Sequence, residues 1–256
     1  MSGTAPLRPV VVTRAEAADG PLSRELRSLG LEVVSWPAVS VTAGETHALE
    51  AALARLDSFG WIVFASRHAV AAVLERVATP PAGTRVAAVG RATALTLTQR
   101  HWPVHLTPAE ASAAGLIGAF AAQWRGADTG VQVLYPASSR ALPTIAAGLR
   151  ALGAVVTQVE AYRTEGAVLD VGECRAWIER GGLGAVTFAS PSAVTELARA
   201  LGERDFGRLL GDAPPVAIGP TTARELAARG WHATLAESAT LRGLAVTTLR
   251  VMQTRA

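Results

Sequence analysis

The amino-acid sequence contains one pattern twice, and this internal repeat restricts the chain to folds that can be built from two similar halves. The matching segments are LRSLGLEVV at 26–34 with LRALGAVVT at 149–157, GWIVFASRHAV at 60–70 with GAVTFASPSAV at 184–194, and VAAVGRATA at 86–94 with VAIGPTTA at 216–223. In the first pair the helical pattern ends at Gly30 or Gly153, where we expect a left-handed helix cap. Two related units therefore account for nearly the whole chain of 256 residues.

Short runs rich in Val, Ile and Ala recur about five times in each copy, and we predict them as strands. They are 9–13, 31–36, 61–65, 85–89 and 103–106 in the first copy and 131–135, 155–160, 185–189, 215–218 and 233–236 in the second. Helical patterns separate most of them. Apolar strands that alternate with helices are typical of parallel sheets covered on both faces. The prediction is therefore an α/β fold with two doubly wound, flavodoxin-like parallel sheets.

The repeat does not say how its pieces pair. An opening strand-helix-strand segment can stay with the rest of its own copy, or it can pair with the other copy. The stretches 37–44 and 162–166 occupy equivalent places in the two copies and are candidates for crossings between two domains. If both are crossings, one domain is continuous and the other is formed by the two ends of the chain.

Composition excludes several function classes. All 24 basic residues are arginine, and the chain contains neither lysine nor asparagine. A P-loop ATPase needs a lysine at its phosphates and Schiff-base chemistry needs an amine, so both are excluded. The net charge of +3 permits an anionic partner without requiring one. The chain has a single cysteine, Cys174, and no signal-peptide pattern. It also has no apolar run of the ~18 residues that a membrane span needs. We therefore expect a cytoplasmic protein that binds neither membrane nor nucleic acid.

Familiar catalytic and metal-binding motifs are missing. The sequence contains no HExxH, CxxC, GxSxG, GxGxxG or DxDxDG motif. The five histidines are scattered, and Pro103 lies between His101 and His105, so a helix cannot align these two as ligands. We therefore expect no metal site.

A turn made of small and hydroxyl-bearing residues follows nearly every predicted strand. These turns are Thr13-Arg14, Ser66-Arg67, Gly90-Arg91-Ala92-Thr93, Ser138-Ser139-Arg140, Ser190-Pro191-Ser192 and Gly219-Pro220-Thr221-Thr222. At the carboxyl ends of parallel strands, helix N-termini present free N–H groups that bind carboxylates or phosphates. Ser and Thr are also ordinary helix N-caps, and for any single turn capping is the simpler interpretation. Taken together, the turns and their arginines favour an anion-rich ligand.

Tyr162 is one of only two tyrosines, and it aligns with Val39 in the first copy, so the repeat itself does not require a phenol there. Two interpretations remain open on spacing alone. The ring can be an aromatic plug in a strand between domains. Alternatively, the phenol can donate a proton to a leaving group, since a phenol in ordinary surroundings is protonated at neutral pH.

Several strings in this sequence resemble the uroporphyrinogen-III synthase family over essentially the full chain. They are VVVTR at 10–14, Tyr-Arg-Thr at 162–164, FASPSAV at 188–194 and VAIGPTTARELAARGW at 216–231. The resemblance implies two flavodoxin-like domains joined by a two-stranded link. One domain would comprise 1–36 with 166–256, the other 42–160, and the linker strands would be 37–41 and 161–165.

The family resemblance also implies a reaction. Hydroxymethylbilane loses its terminal hydroxyl, the resulting azafulvene attacks through a spiro intermediate, and the macrocycle closes with ring D inverted to give uroporphyrinogen III. Neither a metal nor an organic cofactor is implied. We expect a monomer that holds substrate and product in a cleft between its domains and receives hydroxymethylbilane by transient handover from the synthase that makes it.

Site residues follow from the same resemblance. Tyr162 matches the family tyrosine proposed to help expel the hydroxyl, and Thr222 lies in the family's GPTT turn, so these two are the catalytic candidates. The substrate-binding candidates are Thr13, Arg14, Ser66, Arg67, Gly90, Arg91, Thr93, Ser138, Ser139, Arg140, Ser190, Ser192, Gly219, Thr221 and Thr222. The sequence departs from the family at 65–68, where Ala-Ser-Arg-His stands in place of the frequent Thr-Ser-x-Asn. This departure leaves Ser66 in place and speaks against a family role for His68.

Two other function classes compete with this assignment. A two-lobed intracellular module that only binds or senses a small anion would have the same paired architecture. A phosphate-ester enzyme is disfavoured, because the chain lacks lysine and has no aspartate cluster at its strand ends.

Overall fold

A computed structural model describes residues 8–124 and 130–254. The ends of the predicted first domain, 1–7 and 255–256, and residues 125–129 of the predicted second domain lie outside the described residues. The chain divides into two compact units, Met1–Ser40 with Glu165–Ala256 (unit 1) and Val41–Thr164 (unit 2). Both boundaries fall inside the stretches that the sequence marks as candidate crossings.

Strands and helices alternate along most of the chain. The strands are β1 (Val10–Val12), β2 (Val33–Ser35), β3 (Val39–Ala43), β4 (Trp61–Phe64), β5 (Arg85–Ala88), β6 (Gln132–Ser138), β7 (Val155–Gly166), β8 (Ala185–Phe188), β9 (Pro215–Ala217) and β10 (Thr234–Leu235). The helices are α1 (Pro21–Ser28), α2 (Thr46–Leu53), α3 (Arg67–Leu74), α4 (Arg91–Thr98), α5 (Ala113–Gln123), α6 (Thr144–Ala151), α7 (Val171–Arg180), α8 (Pro191–Leu201), α9 (Glu203–Asp212), α10 (Pro220–Ala227) and α11 (Leu241–Gln253).

Each unit contains one five-stranded sheet, with the order β10-β9-β8-β1-β2 in unit 1 and β3-β7-β6-β4-β5 in unit 2. In unit 1, β1 pairs in parallel with β2 and with β8, and β9 pairs in parallel with β8 and with β10. In unit 2, β4 pairs in parallel with β5 and β6, and β6 with β7. The predicted α/β fold with parallel sheets is confirmed.

The two copies of the repeat exchange their opening strands. β1 and β2, from the first copy, join β8, β9 and β10 of the second. Conversely, β6 and β7, which open the second copy, join β4 and β5 of the first. The pairing that the repeat left open is thus cross-copy in both sheets.

One predicted strand is wrong. The segment 103–106 forms only an isolated bridge, between Ala87 and Leu106, in place of a full strand. Pro103 has no N–H to donate to a ladder, and the His105 imidazole Nδ1 accepts the Val86 N–H at 3.0 Å in place of a backbone carbonyl. His105 N and Leu106 N both donate to the Val86 carbonyl, at 2.8 and 3.3 Å.

Buried aromatic and aliphatic side chains cover both faces of each sheet. In unit 2, Phe64 packs edge-on against Trp102 on one face, with ring centroids 5.9 Å apart. Trp61 packs against Phe120 on the other face at 4.9 Å. Since neighbouring strand residues point to opposite faces, the unbroken apolar runs of the sequence are what a sheet covered on both faces requires.

The repeated glycines end equivalent helices. Gly30 and Gly153 follow α1 and α6 with φ of +79° and +92°. In this left-handed region a side chain would be strained, and the backbone folds back so that Leu31 N donates to the Leu26 carbonyl. Within residues 8–124 and 130–254, no helix has the length and apolar character needed to cross a bilayer.

Candidate active site at the carboxyl ends of the strands

All predicted site residues except Tyr162 lie where a strand ends and the next segment begins. In unit 1 they follow β1, β8 and β9, and in unit 2 they end or follow β4, β5 and β6, whereas Tyr162 is the eighth of the twelve residues of β7. Within each unit, the parallel pairing places these ends at one edge of the sheet. The environments of the predicted residues at that edge differ, and they separate into capping, buried and open positions.

Two of the predicted serines act as helix caps. Ser66 Oγ accepts a hydrogen bond from Ala69 N at 3.1 Å at the start of α3. Ser190 Oγ accepts from Ala193 N at 3.3 Å at the start of α8 and also lies 3.0 Å from Ser192 Oγ. These hydroxyls therefore stabilise the helices that carry them.

Gly90 and Gly219 leave their helices open. They are the N-cap residues of α4 and α10, both in extended backbone conformation, and neither helix has a side-chain cap. The free N–H groups of the first turn and the positive end of the helix dipole therefore face outward at these two places. Because the two glycines are equivalent in the repeat, both units have an open helix N-terminus at the same place after a strand, and such a terminus suits a carboxylate.

Three of the predicted threonines are buried. Thr93 and Thr222, at the third positions of α4 and α10, are 6% and 2% exposed. Thr13 is fully buried, and its hydroxyl donates to the Thr187 carbonyl at 2.8 Å, while Thr187 Oγ1 donates to the Val11 carbonyl at 3.0 Å. The Thr13 hydroxyl thus ties β1 to β8, and its carbonyl accepts a hydrogen bond from Ala38 N at 2.9 Å, so Thr13 is a structural residue.

The N-terminus of α1 is filled by the protein's own carboxylate, a feature that the sequence patterns did not predict. Glu16 accepts hydrogen bonds from Leu22 N at 3.1 Å, Ser23 N at 2.8 Å and Ser23 Oγ at 2.9 Å, and its side chain is only 3% exposed. Arg14 Nη1 lies 3.4 Å from the same carboxylate. The signal available in the sequence was an acidic residue shortly before a proline that opens a helix.

We expect Glu16→Gln to lower the free energy of unfolding by about 2 kcal/mol, because a buried charge-assisted cap is lost and an amide N–H₂ meets backbone donors. Urea denaturation followed by circular dichroism measures the change. Glu45→Gln is the matched control, since Glu45 stands at the N-cap of α2 without a side-chain cap hydrogen bond. Equal destabilisation by the two substitutions would contradict the capping role of Glu16.

A bulge in unit 2 sets the direction of Tyr162. Along the pairing of β6 with β7, Ala137 is opposite Glu160 but Ser138 is opposite Tyr162, so Ala161 is an extra residue. Strict alternation would turn Tyr162 away from the face that Ala161 faces. Instead, both pack against the same apolar cluster, which also contains Val159. Bulges of this kind re-aim a side chain at the end of a strand.

The half-buried Tyr162 is held among polar groups at this edge. Its carbonyl accepts a hydrogen bond from Ser139 N at 3.0 Å. Ser138 Oγ lies 3.1 Å from Thr164 Oγ1, and Thr164 N donates to Ser139 Oγ at 3.3 Å. The phenol ring lies against the imidazole of His68, with centroids 5.4 Å apart. The structure therefore brings Tyr162 and the Ser138–Ser139 turn together, as a site at the strand ends requires.

The second tyrosine differs from the first. Tyr135, on β6, is 3% exposed and packs in the apolar cluster on the other face of the sheet. Burial raises the pKa of the Tyr135 phenol to about 12, and the nearby Tyr162 adds to the effect. Tyr135 is thus a core residue that stays protonated over the whole physiological range.

The exposed guanidinium groups at the strand ends belong to unit 2. Arg67, Arg91 and Arg140 are all exposed there, and Arg140 N also donates to Ser138 Oγ at 3.3 Å. Arginine forms bidentate hydrogen bonds with carboxylates, so this edge attracts a ligand with several of them. In the described parts of the chain, no three His, Cys, Asp or Glu side chains are grouped as a metal site would need.

Comparisons with known proteins agree on one family. Residues 20–245 match the family described as "Uroporphyrinogen-III synthase HemD". A uroporphyrinogen-III synthase of Synechococcus elongatus is 24% identical over 223 residues, which cover 83% of each chain. A mutant uroporphyrinogen III synthase of Thermus thermophilus has a TM-score of 0.64 at 15% identity, over 96% of this chain and 99% of that one. The Helicobacter pylori uroporphyrinogen-III synthetase has a TM-score of 0.66 at 16% identity, over 96% and 100%. These solved structures share the fold of this chain.

Proposed function

Because this chain belongs to the uroporphyrinogen-III synthase family, we propose that it converts hydroxymethylbilane into uroporphyrinogen III with loss of water and inversion of ring D. The structural observation that carries the proposal is the pair of open helix N-termini at Gly90 and Gly219. Each presents uncapped N–H groups at the carboxyl end of a parallel strand, which is where an anionic ligand is expected in this class of fold.

Binding relies on the carboxylates of the substrate. Hydroxymethylbilane carries acetate and propionate side chains on its pyrrole rings, and backbone N–H groups at helix N-termini bind such groups without lysine. The open N-termini of α4 and α10 each receive a carboxylate. Arg67, Arg91 and Arg140 add charge at the unit 2 edge. We propose that one substrate molecule engages groups of both units, which holds its ends in the conformer that leads to inversion.

Tyr162 starts the reaction as a general acid. Its hydroxyl donates a proton to the terminal hydroxyl of the substrate while the C–O bond breaks, so that the leaving group departs as water. The azafulvene then closes through the spiro intermediate, and a pyrrole proton released at the end of the rearrangement restores the phenol. The net change is loss of one water molecule. Thr222 contributes through its backbone N–H, since its side chain is buried.

We propose that both sheets are flavodoxin-like. In support of this, the second strand of each repeat flanks the first and the later strands follow on the other side, with β3 added beside β7 in unit 2. We assign β3 and the outer part of β7, which are neighbours in one sheet, to the connections between two domains. We further propose a cofactor-independent lyase that works as a cytoplasmic monomer and takes hydroxymethylbilane directly from the enzyme that produces it.

Isomer analysis tests the function. The purified protein, incubated with freshly prepared hydroxymethylbilane, is expected to give mainly the type III isomer when the oxidised products are separated by chromatography. Without catalysis the same substrate cyclises spontaneously to the type I isomer. A protein that only bound the substrate would therefore leave type I as the main product, and that result would refute the proposal.

A further inference from the structure

We propose that His68 is a positioning residue that orients the phenol of Tyr162 for proton donation. The inference rests on the proposed function of Tyr162 and adds to it a second residue that acts through the first. The observation that supports it is the contact between the two rings, whose centroids are 5.4 Å apart with an angle of 44° between the ring planes.

His68 is fixed by the helix that carries it. It is the second residue of α3, whose N-cap Ser66 accepts the Ala69 N–H at 3.1 Å. Ala69 and Val70, directly after it, are buried in the same apolar cluster that Tyr162 packs against. The backbone at His68 is therefore anchored on both sides, and the imidazole reaches the phenol from a rigid support.

The repeat shows that the fold does not need this contact. The position equivalent to His68 is Ser192, whose hydroxyl lies 3.0 Å from that of its own N-cap, Ser190. The position equivalent to Tyr162 is Val39, a buried aliphatic residue. Val39 lies on β3 in the sheet of unit 2, and α8, the helix of unit 1 that is equivalent to α3, forms with Ser192 in place of a ring. A pair of rings placed only in the unit that carries the tyrosine points to a role in the chemistry of that tyrosine.

Orientation matters because proton transfer has a short range. A general acid must come within about 2.6–3.2 Å of the atom that it protonates. The bulge and the bond from Ser139 N fix the Tyr162 backbone, but the ring can still turn about its two side-chain torsions. The His68 ring limits that rotation from one side. Loss of this restraint is expected to act on the chemical step rather than on substrate affinity.

Variants at position 68 show whether a ring is needed there or whether any side chain is sufficient. His68→Ala and His68→Gln remove the ring and are expected to lower kcat about 10-fold with KM changed by less than about 2-fold, and to raise the fraction of type I product. His68→Phe keeps a flat ring on the same helix position and is expected to recover most of kcat. Since His68 is exposed, the three variants are expected to fold normally, which thermal unfolding verifies.

Nuclear magnetic resonance tests the contact independently of activity. With ring-labelled tyrosine the protein gives signals from only two tyrosines, and Tyr135→Phe assigns them. The ring-current shift of the Tyr162 signals is expected in the natural protein and in His68→Phe, and to disappear in His68→Ala. A Tyr162 signal that is the same in His68→Ala, or unchanged kcat in both ring-free variants, would overturn the inference. Failure of the natural protein to form type III product would overturn the proposed function and leave the ring contact measurable.

Discussion

Replacing Tyr162 by phenylalanine is expected to lower kcat on the order of 100-fold, at the lower end of what a positioned proton donor contributes. The ring stays in its apolar cluster and against His68, so the substitution removes only the hydroxyl. The bilane is itself reactive, and slow departure of its hydroxyl without the acid gives spontaneous closure time to compete. Kinetics of uroporphyrinogen formation, with the ratio of type III to type I product at each time point, measure both consequences.

Tyr135→Phe is the matched control for this substitution. It also removes one phenolic hydroxyl from unit 2, but from a buried residue on the other face of the sheet. Its kcat and product ratio are expected to stay within about 2-fold of the natural protein, a small change in free energy of activation. If Tyr162→Phe kept normal turnover and a normal isomer ratio, Tyr162 would be an aromatic plug, the structural interpretation that the sequence left open.

A carboxylate introduced at Gly219 is expected to have opposite effects on stability and on substrate binding. Gly219 has extended backbone conformation, and a side chain there meets no atom within 4 Å, so Gly219→Asp fits. The aspartate caps α10 and is expected to raise the free energy of unfolding by about 0.5 kcal/mol. The same carboxylate occupies the N–H groups that the substrate needs, and we expect KM to rise at least about 10-fold.

Gly219→Asn separates occupation of the site from charge. Asparagine is an equally good helix cap but carries no charge, so the KM of this variant is expected to rise less than that of Gly219→Asp. Urea denaturation and steady-state kinetics of the three proteins give both quantities. A Gly219→Asp protein with normal KM would show that the open N-terminus of α10 does not bind the substrate.

The turns that follow the strands are similar in sequence but have different structural roles. Ser66 and Ser190 cap their own helices, whereas Gly90 and Gly219 leave theirs open. The turn after β1 belongs to neither group, because Glu16 fills the N-terminus of α1. The capping interpretation thus holds for Ser66 and Ser190, and the ligand interpretation stays a proposal for Gly90 and Gly219.

Sequence patterns predicted much of this fold because the forces that they report are local. Val10–Val12 and Trp61–Phe64 are recognisable as strands because every residue is apolar, as a strand buried on both faces must be. Gly30 ends its helix because of its own backbone freedom. The error at 103–106 has a different cause, since the His105 imidazole accepts the Val86 N–H that a neighbouring strand would bond.

The candidate site was only partly predictable because its contacts join segments that are distant in the chain. Tyr162 was selected from its rarity and its family match, but its direction depends on the extra residue Ala161 in the pairing of β6 with β7. Tyr162 and His68, whose rings are in contact, are 94 positions apart in the chain. Glu16 and its backbone partners also become visible only when the turn before α1 is folded.

The repeat, the apolar runs and the helix ends are properties of neighbouring residues, so the linear chain settles that there are two similar α/β units with parallel strands. The choice of partner strand is not such a property. The apolar sequence of β1 is compatible with pairing beside either β4 or β8. The free energy that selects β8 comes from side-chain packing and hydrogen bonds between distant segments, such as those of Thr13 and Thr187. Exchange of strands between the copies therefore depends on long-range contacts, which the linear order of residues does not contain.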